Sequence, residues 1–214
     1  MLEVRALPDR IYEVLREQIV TGDLSGDTAV RQDSLASTLG VSKIPVREAL
    51  TRLHQDGLVT RIPNRGWFVA PLSLAEAEEI YALRLSLEPA AAAHACAHAT
   101  TGSRAAVESA YAALMAEDDP GLAAMARRNR EFHLALVSDT ARPLTLQLLE
   151  RLALLAERYV LQHLRPEGRG DRARREHAAL RDAWLAGSAE AVATLLQAHI
   201  AQTRQDLRRQ LAPE

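Results

Sequence analysis

The stretch from Arg31 to Val69, RQDSLASTLGVSKIPVREALTRLHQDGLVTRIPNRGWFV, constrains the chain more than any other. Its spacing predicts two short helices followed by a β-hairpin. The first helix carries Leu35, Ala36 and Leu39 on one face and stops at Gly40, a residue suited to a tight turn. Ser42 is placed to cap the second helix by accepting from its free N–H groups, and Pro45 suits its first turn. Val46, Leu50 and Leu53 then fall at i, i+4 and i+7, an apolar stripe that faces the first helix. The opposite face carries Ser42, Lys43, Arg47 and Thr51. After Gly57 the period becomes extended: Leu58–Ile62 and Trp67–Val69 flank Pro63-Asn64-Arg65-Gly66, a cluster that closes a hairpin. Helix, turn, helix and a two-stranded wing make a winged helix-turn-helix. The outer side of its second helix fits a major groove, and Arg65 at the wing tip reaches a neighbouring groove or phosphate.

A plain helical hairpin with solvated charges is the competing interpretation, and charge distribution weighs against it. Between Ser42 and Gly66, five bases (Lys43, Arg47, Arg52, Arg61, Arg65) face two acids (Glu48, Asp56), a local net of +3 in a chain of formal net charge −2. Local positive charge on a near-neutral protein suits contact with phosphates.

The run LGVSKIPVREALTRLHQDGLVTRIPNRGWFV resembles the DNA-binding domain of the GntR superfamily of bacterial transcription regulators. The likeness covers roughly residues 8 to 71 and includes the V-S-basic-x-P-V-R-E-A-L core as Val41 to Leu50. It implies that Lys43 and Arg47 contact operator bases or phosphates. It also implies that Ser42 and Ile44 open the recognition helix, that Arg31 precedes the first helix of the motif, and that Asn64, Arg65 and Gly66 form the wing tip. Lys43 stands where arginine is commoner; it keeps the charge and loses the bidentate fork that reads guanine.

Around this motif, Leu7–Thr21 is expected as a helix with Ile11, Val14, Leu15 and Ile19 as its apolar stripe, and Asp23–Val30 as a turn. Pro71 ends the wing and Ser73 can cap the next helix, so the domains are expected at 1–71 and 72–214. Beyond the boundary no strand alternation appears. Six helices are expected, at about 74–99, 103–117, 120–139, 143–164, 169–187 and 188–211, with Pro89 a possible kink in the first. They are separated at Thr101-Gly102, Asp119-Pro120, Ala141-Arg142-Pro143, Pro166-Glu167-Gly168 and Gly187-Ser188. The fold class is therefore mainly α: a winged helix-turn-helix plus an antiparallel six-helix bundle.

Composition bounds the setting. Charged residues at 25% and apolar residues at 48% describe an ordinary globular chain. No apolar run has the length of a membrane span, and MLEVRALPDR lacks the apolar core of a signal peptide, so a cytoplasmic location is expected. The single cysteine, Cys96, excludes an intrachain disulfide framework and sits in an alanine-rich run as a small apolar residue.

In the second domain, Asn129 and His133 share a helix face at i and i+4, while His177 and His199 sit on the last two helices. Three imidazoles and one oxygen donor from three helices can form a first-row metal site, although each histidine alone is more often an ordinary core or surface residue. Residues 74–211 also resemble the FCD effector domain of FadR-type regulators, through IYALRLSLEPAAAAHA, NREFHLAL, REHAAL and LLQAHI. That resemblance implies a divalent metal (zinc, with nickel or manganese as alternatives) held by Asn129, His133, His177 and His199. It further implies a small organic acid as effector and Arg84 facing the cavity. Six helices resemble the VanR-type subdivision rather than the seven-helix, acyl-CoA-binding one. Asn129 offers only a dipole where an aspartate would bring a negative charge. Arg158, Tyr159 and Trp184 could line the pocket, or could simply pack.

Taken together the expectation is a regulator, most simply a repressor, that binds double-stranded operator DNA as a homodimer and has no membrane partner. Two rivals are an enzyme built on the histidines and a structural nucleic-acid protein with no effector. The enzyme is disfavoured because no H-E-x-x-H element is present and Glu131, two residues from His133, points to another helix face.

Overall fold

A computed structural model describes residues 6–116, 121–138, 142–164 and 169–211. The chain divides into two compact units, Met1–Leu72 and Ser73–Glu214. Each is taken separately.

In the first unit, α1 (Leu7–Thr21), α2 (Gln32–Leu39) and α3 (Lys43–Gln55) pack with a small antiparallel sheet. The sheet contains β1 (Ala29–Val30), β2 (Val59–Ile62) and β3 (Gly66–Val69) in the order β1-β3-β2. The predicted stripe of α3 is the centre of the core: Val46, Leu50 and Leu53 are fully buried, and Ile11, Leu15 and Ile19 of α1 and Leu58, Trp67 and Val69 of the wing are buried with them. Each such aliphatic side chain contributes roughly 1.5–3 kcal/mol by leaving water. Tyr12 fastens α1 to the end of α3 by donating to Asp56 Oδ2 at 2.6 Å.

Gly40 ends α2 in the left-handed region, φ 64°, and its N–H returns to the carbonyls of Ala36 and Ser37. The wing turn places Asn64 at φ 60° and Gly66 at φ 100°, a conformation that asparagine and glycine tolerate best.

Four expectations need correction here. Ser42 holds the N-cap position of α3, but its side chain accepts no capping hydrogen bond. Val14 and Leu39 lie outside the core, 49% and 42% exposed. The turn expected over Asp23–Val30 ends in a strand, with Ala29 opposite Phe68 and Val30 opposite Trp67. Two residues are too few to leave an alternating pattern, so this strand exists only because β3 offers it an edge.

The second unit is an all-helical bundle of α4 (Leu74–Ala97), α5 (Thr101–Met115), α6 (Gly121–Val137), α7 (Pro143–Leu164), α8 (Arg169–Leu185) and α9 (Ala189–Leu211). Ser73 caps α4 as expected, accepting from the Glu76 N–H at 3.1 Å. α5 starts two residues ahead of its expected position because Thr100 and Ser103 form a reciprocal capping box. α4 runs unbroken through Pro89, which is buried within it. The expected breaks at Asp119-Pro120, at Ala141 and over Pro166–Gly168 lie outside the described residues.

α4 lies along α9 and also touches α6 and α7, while α8 packs on α5 and α9. Tyr81, Phe132, Leu136, Tyr159, Leu180, Trp184, Leu196 and Ile200 fill the bundle interior. This arrangement brings the inward faces of α4, α6, α8 and α9 to one point.

Candidate functional site

Among the described residues, each unit carries a concentration of candidate functional side chains. In the first, α3 and the wing enclose a groove of about 970 Å³ lined by Arg31, Arg47, Thr51, Arg61, Asn64, Arg65 and Gly66 among others. The second turn of α3 supplies Arg47 and the hairpin supplies the wing-tip residues, so the turn geometry at Asn64 and Gly66 sets where Arg65 stands. The Arg65 guanidinium lies 5.4 Å from the Phe68 ring centroid, which holds the wing-tip cation on an aromatic face.

Three sequence-derived candidates lie outside that groove's lining: Ser42, Lys43 and Ile44 at the start of α3. Lys43 Nζ sits 2.9 Å from Asp33 Oδ1, with both side chains largely exposed. Ile44 is 59% exposed, a large apolar side chain held in solvent at the helix start.

In the second unit, His133 of α6, His177 of α8 and His199 of α9 each bring one ring nitrogen to within 4.8 Å of the others. They line a cavity of about 20 Å³ with Tyr81, Arg84, Asn129, Val160, Ala173, Ile200 and Thr203. Asn129 and Arg84 therefore stand at the same cavity as the three histidines, which the resemblance implied and the spacing alone left open. Arg158, Tyr159 and Trp184 do not line it. The Tyr159 hydroxyl instead donates to Glu76 Oε2 at 2.5 Å, and Trp184 Nε1 donates to the Leu136 carbonyl at 3.0 Å. Cys96 is buried, its thiol donating to the Trp184 carbonyl at 3.5 Å.

Two carboxylates complete the cluster, and neither was visible in the histidine spacing. Glu88 Oε1 accepts from His133 Nδ1 at 2.9 Å, and Glu176 Oε2 accepts from His199 Nδ1 at 2.6 Å. Arg84 grips Glu88 through Nε and Nη2, at 2.8 and 3.2 Å. The Arg84–Glu88 spacing of i, i+4 was a signal for the first pair. For the second there was none, since Glu176 adjoins His177 in sequence yet serves His199 on another helix.

Burial pushes the His133 imidazolium down to about 4, against the pull of Glu88. Burial also pushes His177 well below the usual histidine range, helped by the neighbouring His199 and His133. Burial alone would raise Glu88, but Arg84 and His133 outweigh it and hold it below the usual carboxylate range. At neutral pH, then, His133 and His177 are uncharged and Glu88 is ionised.

The donor set fits a divalent cation. Neutral imidazole nitrogens are what such an ion requires, two of the three rings have Nδ1 committed to a carboxylate, and His177 Nε2 is buried with no hydrogen-bond partner among the described residues.

These depressed values carry a stability consequence. His133 titrates near 6.5 when unfolded and near 4 when folded, so below pH 6.5 the unfolded chain binds the extra proton first. Stability is thus fully present above that value and declines as pH falls through the window, His177 acting in the same direction. Thermal melts of chelator-treated protein should show Tm falling between about pH 6.5 and 5, before most carboxylates titrate. A flat Tm there would contradict buried neutral imidazoles.

One chain thus carries a winged helix and a helical domain that encloses a histidine-lined cavity. Comparisons with known proteins make this particular. The family model described as bacterial regulatory proteins, gntR family, matches residues 7–69, and the FCD domain model matches 79–202. The uncharacterized HTH-type transcriptional regulator BphR of Paraburkholderia xenovorans (strain LB400) is 33% identical over 207 residues, covering 92% of this chain and 83% of that protein. The HTH-type transcriptional repressor GlaR of Escherichia coli (strain K12) is 30% identical over 154 residues, covering 69% and 70%. Among solved structures, E. coli McbR/YncC shares the fold, with a TM-score of 0.77 at 23% identity over 96% of this chain and 98% of that one. The chain belongs to the GntR family of transcription regulators and carries an FCD domain.

Proposed function

We propose that the chain is a ligand-responsive repressor that binds a pseudo-palindromic operator as a homodimer and is controlled by a small carboxylate in a metal-containing pocket. The reading rests on one observation above all: three histidine nitrogens from three helices lie within 4.8 Å of one another, in the same chain as a winged helix.

Arg47, Lys43, Arg31 and Arg65 would position the domain and read DNA, with Ser42 and Ile44 at the start of the recognition helix and Asn64, Arg65 and Gly66 at the wing tip. One chain presents one recognition helix, so useful affinity calls for two related copies. A two-fold dimer matches a palindromic site, with half-sites about one helical turn apart. Residues 1–71 then form the DNA-binding domain, and 72–214 the effector-binding and dimerisation domain. The six described helices of that domain favour the VanR-type subdivision. No helix among the described residues is long and apolar enough to cross a membrane, which is compatible with work on DNA in the cytoplasm.

His133, His177, His199 and Asn129 would hold the cation, zinc first, with nickel or manganese as alternatives. When bound, it supplies a Lewis-acidic position for a carboxylate oxygen. Arg84, beside the same cavity, would orient the rest of the acid. A cavity of about 20 Å³ has room for an ion or a single water, so an organic acid enters only as the surrounding helices part. Such an acid favours the expanded bundle. It alters operator binding only if it binds the DNA-competent and DNA-incompetent arrangements with different affinity.

The test begins with elemental analysis of protein kept from chelators and metal-affinity resin. About one equivalent of zinc, nickel or manganese per chain is expected. A panel of small hydroxy, keto and dicarboxylic acids should then include a member that weakens binding to a selected operator. Metal-free protein that takes up none on titration, or an operator affinity no acid alters, would overturn the reading.

A further inference from the structure

The histidine cluster has a feature that its ligands alone do not explain. His133 and His199 come from different helices, yet both are backed in a similar way: an arginine pairs with a glutamate, and the glutamate accepts from the imidazole Nδ1–H. In the first relay Arg84 holds Glu88, and Glu88 holds His133. In the second, Arg172 Nε lies 3.3 Å from Glu176 Oε1, and Glu176 Oε2 lies 2.6 Å from His199 Nδ1. Arg172 is itself anchored by Asp206, 2.5 Å from its Nη2 and almost fully buried. His177 is backed differently: its ring meets Phe132 edge-on at 5.3 Å.

We infer that Glu88 and Glu176 are the positioning residues of this site, and that together they provide the negative charge that Asn129 does not. This rests on the metal-binding reading above.

Two physical effects follow from the geometry. A carboxylate at Nδ1 fixes the proton there, so Nε2 keeps its lone pair and is the nitrogen left for a cation. The same hydrogen bond pushes electron density into the ring and strengthens Nε2 as a donor. With three neutral imidazoles and one amide, the ligands themselves carry no charge. The anions hydrogen-bonded to the ligand rings are the two glutamates, each one imidazole away. Arg172 pairs with the partly exposed Glu176, while Arg84 holds Glu88 in place against burial, which commits Nε and Nη2 of its fork. An effector carboxylate would meet only what remains of that guanidinium.

Glu176→Gln is the deciding variant. It keeps shape and an acceptor oxygen while removing the charge, its side chain is 28% exposed, and Arg172 retains Asp206 as partner. Zinc affinity, read by competition with a chromogenic chelator, should fall 10- to 100-fold. The Co²⁺-loaded variant should show a shifted visible ligand-field band, which loss of packing elsewhere would not produce. Glu176→Asp should recover part of the affinity.

Glu88→Gln alone strands the buried Arg84 and risks unfolding, so Glu88 is tested as the pair Arg84→Met with Glu88→Gln, which removes both charges together. Its zinc affinity should fall by a similar factor with helix content retained. Wild-type protein that binds zinc while Glu176→Gln binds within twofold of it would overturn this inference and leave the metal reading standing. Wild-type protein that binds neither zinc nor cobalt would overturn both.

Discussion

Arg47→Ala is expected to abolish operator-specific binding while leaving a folded dimer. Arg47 stands on the outer side of α3, in the groove closed by the wing, and the α3 side chains that hold the core (Val46, Ala49, Leu50, Leu53) are on the other side. Its removal therefore costs no buried contact. Substitutions at such surface positions typically stay within about ±0.5 kcal/mol of wild-type stability. A bidentate arginine–guanine contact discriminates by about 1–3 kcal/mol, and the proposed dimer would place two of them on each operator. The summed loss, roughly 2–6 kcal/mol, corresponds to about 30-fold to more than 10⁴-fold, which brings specific affinity close to the non-specific level.

Fluorescence anisotropy on an operator selected from random duplexes would measure this, with an unrelated duplex as reference. Affinity for the unrelated duplex should fall much less, because that term comes from phosphate neutralisation over the whole surface. Unchanged discrimination between the two duplexes would remove Arg47 from base reading. Lys43→Ala serves as the comparison. Lys43 is partnered by Asp33 and outside the groove, so a smaller and less sequence-dependent loss is expected there.

Replacing His177 and His199 together by alanine is expected to eliminate stoichiometric metal. Two of the three clustered nitrogens disappear, and a single histidine with an amide oxygen is not a site that survives dilution. The change also shortens two buried side chains, so each substitution is expected to cost on the order of 1–3 kcal/mol of stability through lost packing. Against that cost, the variant no longer buries a neutral imidazole at position 177, and the acid-dependent loss of Tm should shrink to the share that His133 contributes.

Inductively coupled plasma analysis would read the metal, and light scattering the assembly state. Metal retained at one equivalent in a folded double variant would place the ion elsewhere in the chain. Operator binding should persist in the double variant but lose its response to the acid found for wild type.

The winged helix was legible because its evidence is local. The 3.6-residue spacing of Val46, Leu50 and Leu53, the switch to extended period after Gly57 and the Asn64–Gly66 turn all act within a few residues of one another. Solvation of Val14 and Leu39 was not legible, because a helical stripe is wider than the face its neighbours cover. The strand at Ala29–Val30 was hidden for a related reason: its pairing partner, β3, lies almost forty residues away.

The candidate metal site divides in the same manner. Asn129 and His133 sit one helical turn apart, so sequence places them on one face without help. Their meeting with His177 and His199 was implied by resemblance, and the spacing alone left it open.

The sequence by itself determined the helices, the wing and the residue types available at each site, because caps, turns and hydrophobic periods are written over short distances. Only the tertiary structure decided which polar groups share a cavity. That Glu176 supports His199 rather than its neighbour His177, and that Arg84 is committed to Glu88, depends on how helices distant in sequence pack. Burying the cluster makes each unpaired charge costly, so packing sets the partnerships.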